Sequence, residues 1–273
     1  MRIKVDAQGR AVVYYTVAGR RYHPLVWGAV NARPPSRSVR QVSFKVDYSG
    51  GWGSFRKNLW KTMKNGCRPY DGPRLAWLVA ACKAPDGSHW ALQSWQRTLP
   101  NLGLTPWRRA QLARELHISH WRGELPKLEI HLDWVYPQRF HHLFGRFTYR
   151  GRPVHGFVNT PSGAPLDTYG RNIYVDTLNS AYGSGWKREN SFLANRPRGN
   201  FCYGFFPRPS YYDKTRRPAA HGKRYRATAI GPGVTPDPFW TAEGLGEFDP
   251  AYEAQMNALG DEIAGDSSTC RQH

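Results

Sequence analysis

The chain consists of short apolar and aromatic segments that turn residues interrupt repeatedly. In QVSFKVDYS, the side chains of Val42, Phe44, Val46 and Tyr48 occupy every second position, which predicts a strand with one buried face. The segment LEIHLDWVY at 128–136 repeats this alternation. Turn sequences between further pairs of segments predict hairpins, and they lie at Ala18-Gly19-Arg20, Ala84-Pro85-Asp86-Gly87 and Arg150-Gly151-Arg152.

Roughly ten short strands without a βαβ rhythm predict a mainly β fold, either an antiparallel β-sandwich or a jelly roll. One short helix is predicted within the strands, in TPWRRAQLAREL, where Thr105 caps the free amides and Pro106 takes the first helical position. A second helix is predicted from Pro250 with Asp249 as its cap. Its apolar stripe consists of Tyr252, Met256, Leu259 and Ile263.

Charge divides the chain into two regions. Lys and Arg total 39 against 20 Asp and Glu, a formal net charge of +19. After Trp240 the chain has seven acidic residues and one basic residue, so the formal net charge is +25 for residues 1–240 and −6 for residues 241–273. We therefore predict a single basic β domain at 1–240 and an acidic tail with a short helix at 241–273. The basic domain should attract an acidic polymer, unless the charge only solvates the surface. The tail should fold back and compete with that polymer.

Four cysteines lack the spacing of a zinc site. Cys67 and Cys82 are candidates for a disulfide, with two buried free thiols as the alternative, whereas Cys202 in FCYGFF is interpreted as a buried thiol in a strand. No run of residues is long and apolar enough to span a bilayer, so no membrane insertion is expected. The segment MRIKVDAQGRAVVYY has neither an apolar signal core nor a small-residue cleavage site, so no signal peptide is expected in it. We expect a secreted or cell-surface protein that has lost its signal, and otherwise a cytoplasmic one.

Known catalytic motifs are absent from the sequence, and neither a cofactor nor a metal site is predicted. The leading enzyme hypothesis is glycoside hydrolysis, which requires two facing carboxyl groups. Asp167, Asp176 and Glu189 lie among Tyr, Trp, Asn and Arg residues of the kind that line sugar clefts, and Asp133 and Asp47 are further candidates. Each acid could equally cap a turn or pair with a surface arginine.

A binding surface is predicted around two segments rich in glycine and aromatic residues. In the strand at 171–178, one face carries polar groups, and the following loop NSAYGSGWKREN holds aromatic rings beside Gly183 and Gly185, where a ligand can approach the backbone. The candidate binding residues of this segment are Arg171, Asn172, Tyr174, Tyr182, Trp186 and Asn190. Tyr48 and Trp52 belong to a similar segment, and the two could form one cleft. Alternatively, the longer loop is a structural Ω-loop.

Three classes of function fit these features. The first is a protein that binds a polysaccharide or an anionic cell-surface polymer through the aromatic and Gly-rich loops. The second is a carbohydrate-active hydrolase that uses paired carboxylates. The third is a nucleic-acid-binding protein, for which the chain lacks an aromatic RNA-binding strand and a strongly basic recognition helix. We favour the first class.

Overall fold

The computed structural model describes residues 1–36, 38–53, 55, 58–97, 114–136, 138–156, 166–167, 170–209, 216–217, 221–267 and 270. Most of the helix predicted in TPWRRAQLAREL lies outside these residues, but its last two residues, Glu115 and Leu116, belong to a strand (Glu115–Trp121), so the prediction is wrong at this end. Where the chain is described, it is mainly β, with several antiparallel sheets arranged like sandwiches, as the sequence predicted.

The amino-terminal half contains two facing sheets and a short helix. The first sheet consists of β1 (Arg2–Val5), β2 (Ala11–Val17), β3 (Arg20–Tyr22), β4 (Leu25–Gly28) and β5 (Phe44–Asp47), in the order β1-β2-β4-β5 with β3 paired to β2. Helix α1 (Leu59–Thr62) follows it. The second sheet contains β6 (Leu78–Lys83), β7 (His89–Trp95) and β8 (Glu115–Trp121) in that order. Val5, Val13 and Val26 of the first sheet share a core with Trp90 and Leu92 of the second.

The carboxy-terminal half contains a second pair of sheets. One consists of β9 (Lys127–Val135), β10 (Phe140–Tyr149), β11 (Arg152–Pro153) and β14 (Asn200–Gly204), with β10 in the middle. The other has β12 (Ile173–Ser180), β13 (Gly183–Phe192), β17 (Arg224–Ala229) and β18 (Phe239–Glu243) in the order β13-β12-β17-β18. A ribbon of β15 (Arg208–Pro209) and β16 (Arg216–Arg217) lies outside both. Leu143 and Phe147 pack against Ile173, Val175 and residues of β17 between these sheets.

The predicted burial of one face of β5 is wrong in part. Phe44 packs against Trp90, with ring centroids 5.7 Å apart, but Val46 is 40% exposed and Tyr48 is 75% exposed. Strand β5 is at the edge of its sheet. An edge strand has a neighbouring strand on one side only, and Val46 and Tyr48 are less covered than Phe44.

The acidic tail folds back on the sheet that contains β9. Helix α2 (Pro250–Ala264) begins at the predicted cap, where Asp249 Oδ1 accepts a hydrogen bond from the Ala251 amide at 2.8 Å. The Tyr252 hydroxyl donates to the Leu132 carbonyl at 2.6 Å, and the buried Glu253 carboxylate accepts from the Trp134 amide at 3.1 Å. Burial raises the pKa of Glu253, and Asp133 and Asp249 add to this effect. Competition with a ligand, and the division of the chain at Trp240, stay predictions.

Two disulfides link the chain. Cys67 and Cys82 are bonded, as the sequence suggested, and they join the loop before β6 to that strand. Cys202 is bonded to Cys270, so the interpretation of Cys202 as a free buried thiol is wrong. The sequence offered no sign of this pairing because the two residues are 68 positions apart. Disulfides are typical of oxidising compartments. Within the described residues, neither helix has the length and apolarity that a transmembrane helix requires.

Candidate ligand-binding site

A cavity of about 680 Å³ lies where the two halves of the chain meet. We call it the junction cavity. Its wall comes from the segment before β6, from the connection between β8 and β9, and from β13, β17 and β18. The residues that line it are Arg74, Leu75, Ala76, Trp77, Leu125, Pro126, Trp186, Arg226, Pro236, Asp237, Pro238, Phe239 and Thr241. Aromatic, proline and arginine side chains therefore dominate this wall.

Two indole rings hold one guanidinium group in this wall. The Arg226 guanidinium carbon lies 4.6 Å from the ring centroid of Trp77 and 4.3 Å from that of Trp186. Trp77 is held in turn, because its indole N–H donates to Thr228 Oγ1 at 3.2 Å. Phe239, which is 36% exposed, meets Trp77 edge to face with the centroids 5.5 Å apart. The aromatic side chains of this wall are thus held in place by one another, by Arg226 and by Thr228.

Asp176 fixes the position of Arg226 from the strand side. In the antiparallel register Asp176 lies opposite Arg226 of β17 and opposite Arg188 of β13, so all three side chains share one face. Arg226 Nε donates to Asp176 Oδ2 at 2.7 Å, and Arg188 Nε donates to Asp176 Oδ1. Burial lowers the pKa of Arg226, and the charge of Asp176 opposes this effect. Two cations share one carboxylate, which leaves this cluster net positive.

Among the described residues that line the cavity, Asp237 is the one acid, and its carboxylate is bound within the protein. Its carboxylate accepts from Trp95 Nε1 at 2.9 Å and from the Gly231 amide at 2.8 Å, and it lies 2.8 Å from His117 Nδ1. Burial raises the pKa of Asp237, but His117, the charge of Arg97 and the Gly231 amide together outweigh burial, so the pKa of Asp237 is lowered. Asp237 therefore stabilises the junction of the halves, and the cations facing the cavity are Arg74 and Arg226.

Gln93 completes the junction between β7 and the segment before β18. Its amide nitrogen donates to the carbonyls of Asp237 at 3.0 Å and Ala76 at 2.9 Å. Its amide oxygen accepts from the Asp237 amide at 2.8 Å. A buried side chain with all these bonds fixes the two halves relative to each other.

The structure buries part of the predicted polar binding face. Asn172 is 0% exposed, and its side-chain oxygen accepts from the Ala194 amide at 2.9 Å. Tyr174 is 1% exposed and packs edge to face on Trp95, with centroids 4.9 Å apart. Arg171 pairs with Asp167 at 3.5 Å in a turn that precedes β12. Asn172 and Tyr174 therefore contact the protein's own interior.

The acids proposed for glycoside hydrolysis do not face one another across a cleft. Asp176 pairs with Arg188 and Arg226, whereas Glu189 faces the opposite sheet and accepts from the Tyr203 hydroxyl at 2.9 Å. Asp167 lies in the turn with Arg171. Asp133 is buried and lies 2.8 Å from His142 Nδ1. Asp47 closes its own loop by accepting from the Ser49 and Trp52 amides.

The predicted loop at 179–190 is mostly strand. Strands β12 and β13 form a tight hairpin, and the positive φ angles of Gly183 (114°) and Gly185 (78°) allow the irregular pairing near its turn. Tyr182 packs against the carboxy-terminal core, and Asn190 Oδ1 accepts from the Ser191 amide at 2.9 Å. The Ω-loop alternative is therefore also wrong. Of the predicted aromatic pair, Trp186 lines the cavity.

Tyr48 and Trp52 lie in a different environment from Trp186. Both are well exposed, at 75% and 57%, and their loop packs on Trp60 and His23 of the amino-terminal half. A Cβ atom on Gly50 would lie 2.5 Å from the Trp60 ring, so only glycine fits this contact. The two predicted loops thus border different sites.

Four residues that line the cavity were not predicted from the sequence, namely Trp77, Arg74, Arg226 and Phe239. Arg226 had a usable signal, because RYRATAI alternates and places Arg224 and Arg226 opposite the apolar face of Tyr225, Ala227 and Ala229. Trp77 and Phe239 lie outside regular alternating segments and had none.

No family model, curated protein or solved structure matches this chain significantly. Among the residues the structure describes, no group of three or more His, Cys, Asp or Glu side chains could hold a metal ion.

Proposed function

We propose that the protein binds an acidic polysaccharide in the junction cavity. The observation that carries this proposal is the combination, in one cavity wall, of aromatic rings with guanidinium groups, while the one acid among the described lining residues, Asp237, is bound within the protein. Aromatic surfaces stack on the apolar C–H faces of sugar rings, and guanidinium groups bind carboxylate or sulfate oxygens in a bidentate manner. A neutral polysaccharide would use the rings alone.

The charge of the whole chain supports the same class of ligand. A formal net charge of +19 attracts polyanions from a distance and accelerates their encounter with the cavity. The two disulfides support a location outside the cytosol, either secreted or on the cell surface, where acidic polysaccharides are abundant. Hydrolysis is not part of the proposal, because the candidate acids are paired with other side chains or with the amides of their own loop and do not face one another across a cleft.

Isothermal titration can measure the affinity of the protein for an oligogalacturonate of defined length. A maltodextrin of equal length is the neutral control. The wild type should bind the acidic chain at low salt and bind maltodextrin far more weakly. Phe239→Ala and Arg74→Gln should each weaken this binding about tenfold, or about 1.4 kcal/mol, since each removes one ring or one charged contact. Both side chains are on the surface, so the variants should fold.

Tyr136→Ala and Arg139→Gln are the matched controls, since both residues are exposed and neither lines the cavity. Their affinity should equal that of the wild type. If the site variants and the control variants lose the same affinity for oligogalacturonate, binding depends on the overall charge of the protein and not on the cavity. If maltodextrin binds as tightly as oligogalacturonate, the ligand is not specifically acidic.

A further inference from the structure

A second depression, of about 560 Å³, lies on the amino-terminal sheet. We call it the N-terminal depression. Arg2, Tyr14, Arg21, His23 and Trp60 are among the residues that line it. Arg2 lies opposite Tyr14 in the pairing of β1 with β2, and Arg21 lies opposite Thr16 in the pairing of β2 with β3. Cross-strand pairing therefore gathers these side chains on one face.

The rings of this depression are held rigidly. His23 stacks on Trp60 with ring centroids 3.9 Å apart and an angle of 4° between the planes. The Tyr14 hydroxyl donates to the Trp60 carbonyl at 2.8 Å, and the Trp60 amide donates to the Gly50 carbonyl at 3.3 Å. The exposed loop that carries Tyr48 and Trp52 is thereby attached to the same ring stack.

Cations lie over these rings and their neighbours. The Arg2 guanidinium carbon is 4.6 Å from the Tyr14 ring centroid, and Lys4 Nζ is 5.6 Å from it. Lys61 Nζ is 5.3 Å from the Trp60 ring, and Arg20 is 5.6 Å from the neighbouring Tyr22 ring. A guanidinium group that stacks on a ring keeps its N–H edge available for an oxyanion. The rings thus position cations and also offer apolar surface.

Acidic groups are scarce in this part of the chain. Residues 1–64 contain thirteen Lys and Arg and only two acids, Asp6 and Asp47, a formal net charge of +11. Asp6 is paired with Arg10 at 2.6 Å, and Asp47 binds the amides of its own loop. None of the described residues that line the depression is an acid. More than half of the net charge of the chain therefore lies in its first quarter, next to fixed aromatic rings.

We infer that the N-terminal depression is a second binding site for carboxylate- or sulfate-bearing sugars, and that the protein is bivalent and bridges acidic polysaccharide chains. The identity of the ligand rests on the proposed function, whereas the existence of the second site rests on the cations and rings of the depression. Two sites on one rigid chain raise the apparent affinity for a long polymer and link separate strands.

Stoichiometry tests this inference. Isothermal titration with a short oligogalacturonate should give two bound chains per wild-type protein. The double variant Arg2→Gln/Arg21→Gln should bind one, and so should Arg74→Gln/Phe239→Ala. The exposed pair Arg139→Gln/Arg152→Gln is the control and should bind two. With long polygalacturonate, the wild type and the control should form turbid networks, and neither site variant should do so, because one site cannot bridge two strands.

The outcomes separate the two claims. One bound chain in the wild type that is lost in Arg74→Gln/Phe239→Ala, but kept in Arg2→Gln/Arg21→Gln, would overturn the second site and leave the proposed function standing. One bound chain with the opposite pattern would support the second site and contradict the proposed function. A further competition experiment uses oligothymidylate of the same charge as the oligogalacturonate and the Arg74→Gln/Phe239→Ala variant. If oligothymidylate displaces the sugar and binds this variant at least tenfold more tightly than the sugar does, the ligand of the N-terminal depression is nucleic acid and not polysaccharide.

Discussion

Replacement of Asp176 by alanine should lower the free energy of unfolding by about 3–5 kcal/mol. The carboxylate pairs with Arg188 and Arg226, whose side chains are 4% and 20% exposed, and its loss would leave two enclosed cations without their acid. Urea denaturation followed by circular dichroism measures this change. Because Asp176 also positions Arg226 between Trp77 and Trp186, the variant should lose affinity for an acidic sugar at temperatures where it stays folded.

Asp266→Ala is the control for Asp176→Ala. Asp266 pairs with Arg198 at 2.8 Å, but both side chains are well exposed, so water screens the pair and its loss should leave the free energy of unfolding close to that of the wild type. Similar destabilisation in the two variants would contradict the role assigned to the enclosed cluster.

The second large effect is expected for the disulfide between Cys202 and Cys270. Replacement of both by alanine should lower the free energy of unfolding by about 4 kcal/mol, because the bond closes a loop of 68 residues in the unfolded chain. The bond between Cys67 and Cys82 closes 15 residues, and its removal should cost about 3 kcal/mol. Chemical denaturation of the two double variants, both without reductant, gives the comparison.

The longer disulfide also fixes the chain beyond α2 to β14. Limited proteolysis should therefore cut the tail of the Cys202→Ala/Cys270→Ala variant sooner than that of Cys67→Ala/Cys82→Ala. A free energy of unfolding within about 1 kcal/mol of the wild type in the Cys202→Ala/Cys270→Ala variant would show that this bond does not constrain the unfolded chain as expected.

Local signals account for the part of the fold that the sequence predicted. Alternation in LEIHLDWVY, the turn at Arg150-Gly151 and the cap at Asp249 depend on neighbouring residues, and the structure has β9, the hairpin of β10 and β11, and α2 at these places. The pairing of Cys202 with Cys270 and the junction through Gln93 and Asp237 depend on contacts across long stretches of chain. No local pattern encodes them.

The same distinction explains the partial success with the site. Trp186 was found because glycines and an aromatic residue are adjacent in sequence. Asn172 and Tyr174 were assigned to an open face because alternation shows which side chains share a face, and it does not show what covers that face. Trp95 of the amino-terminal half covers Tyr174. Trp77 of the amino-terminal half joins Trp186 and Phe239 of the carboxy-terminal half in one cavity wall, a contact that no local pattern encodes.

Amide hydrogen exchange with and without saturating oligogalacturonate shows directly whether the junction cavity binds an acidic sugar. The experiment uses the Arg2→Gln/Arg21→Gln variant, in which only the junction cavity should bind. We expect slower exchange in the segments at 74–77 and 236–241, which line the cavity, and unchanged exchange around Tyr136. If the sugar binds but exchange in those two segments is unchanged, or if this folded variant does not bind the sugar, the junction cavity is not a binding site for acidic sugars.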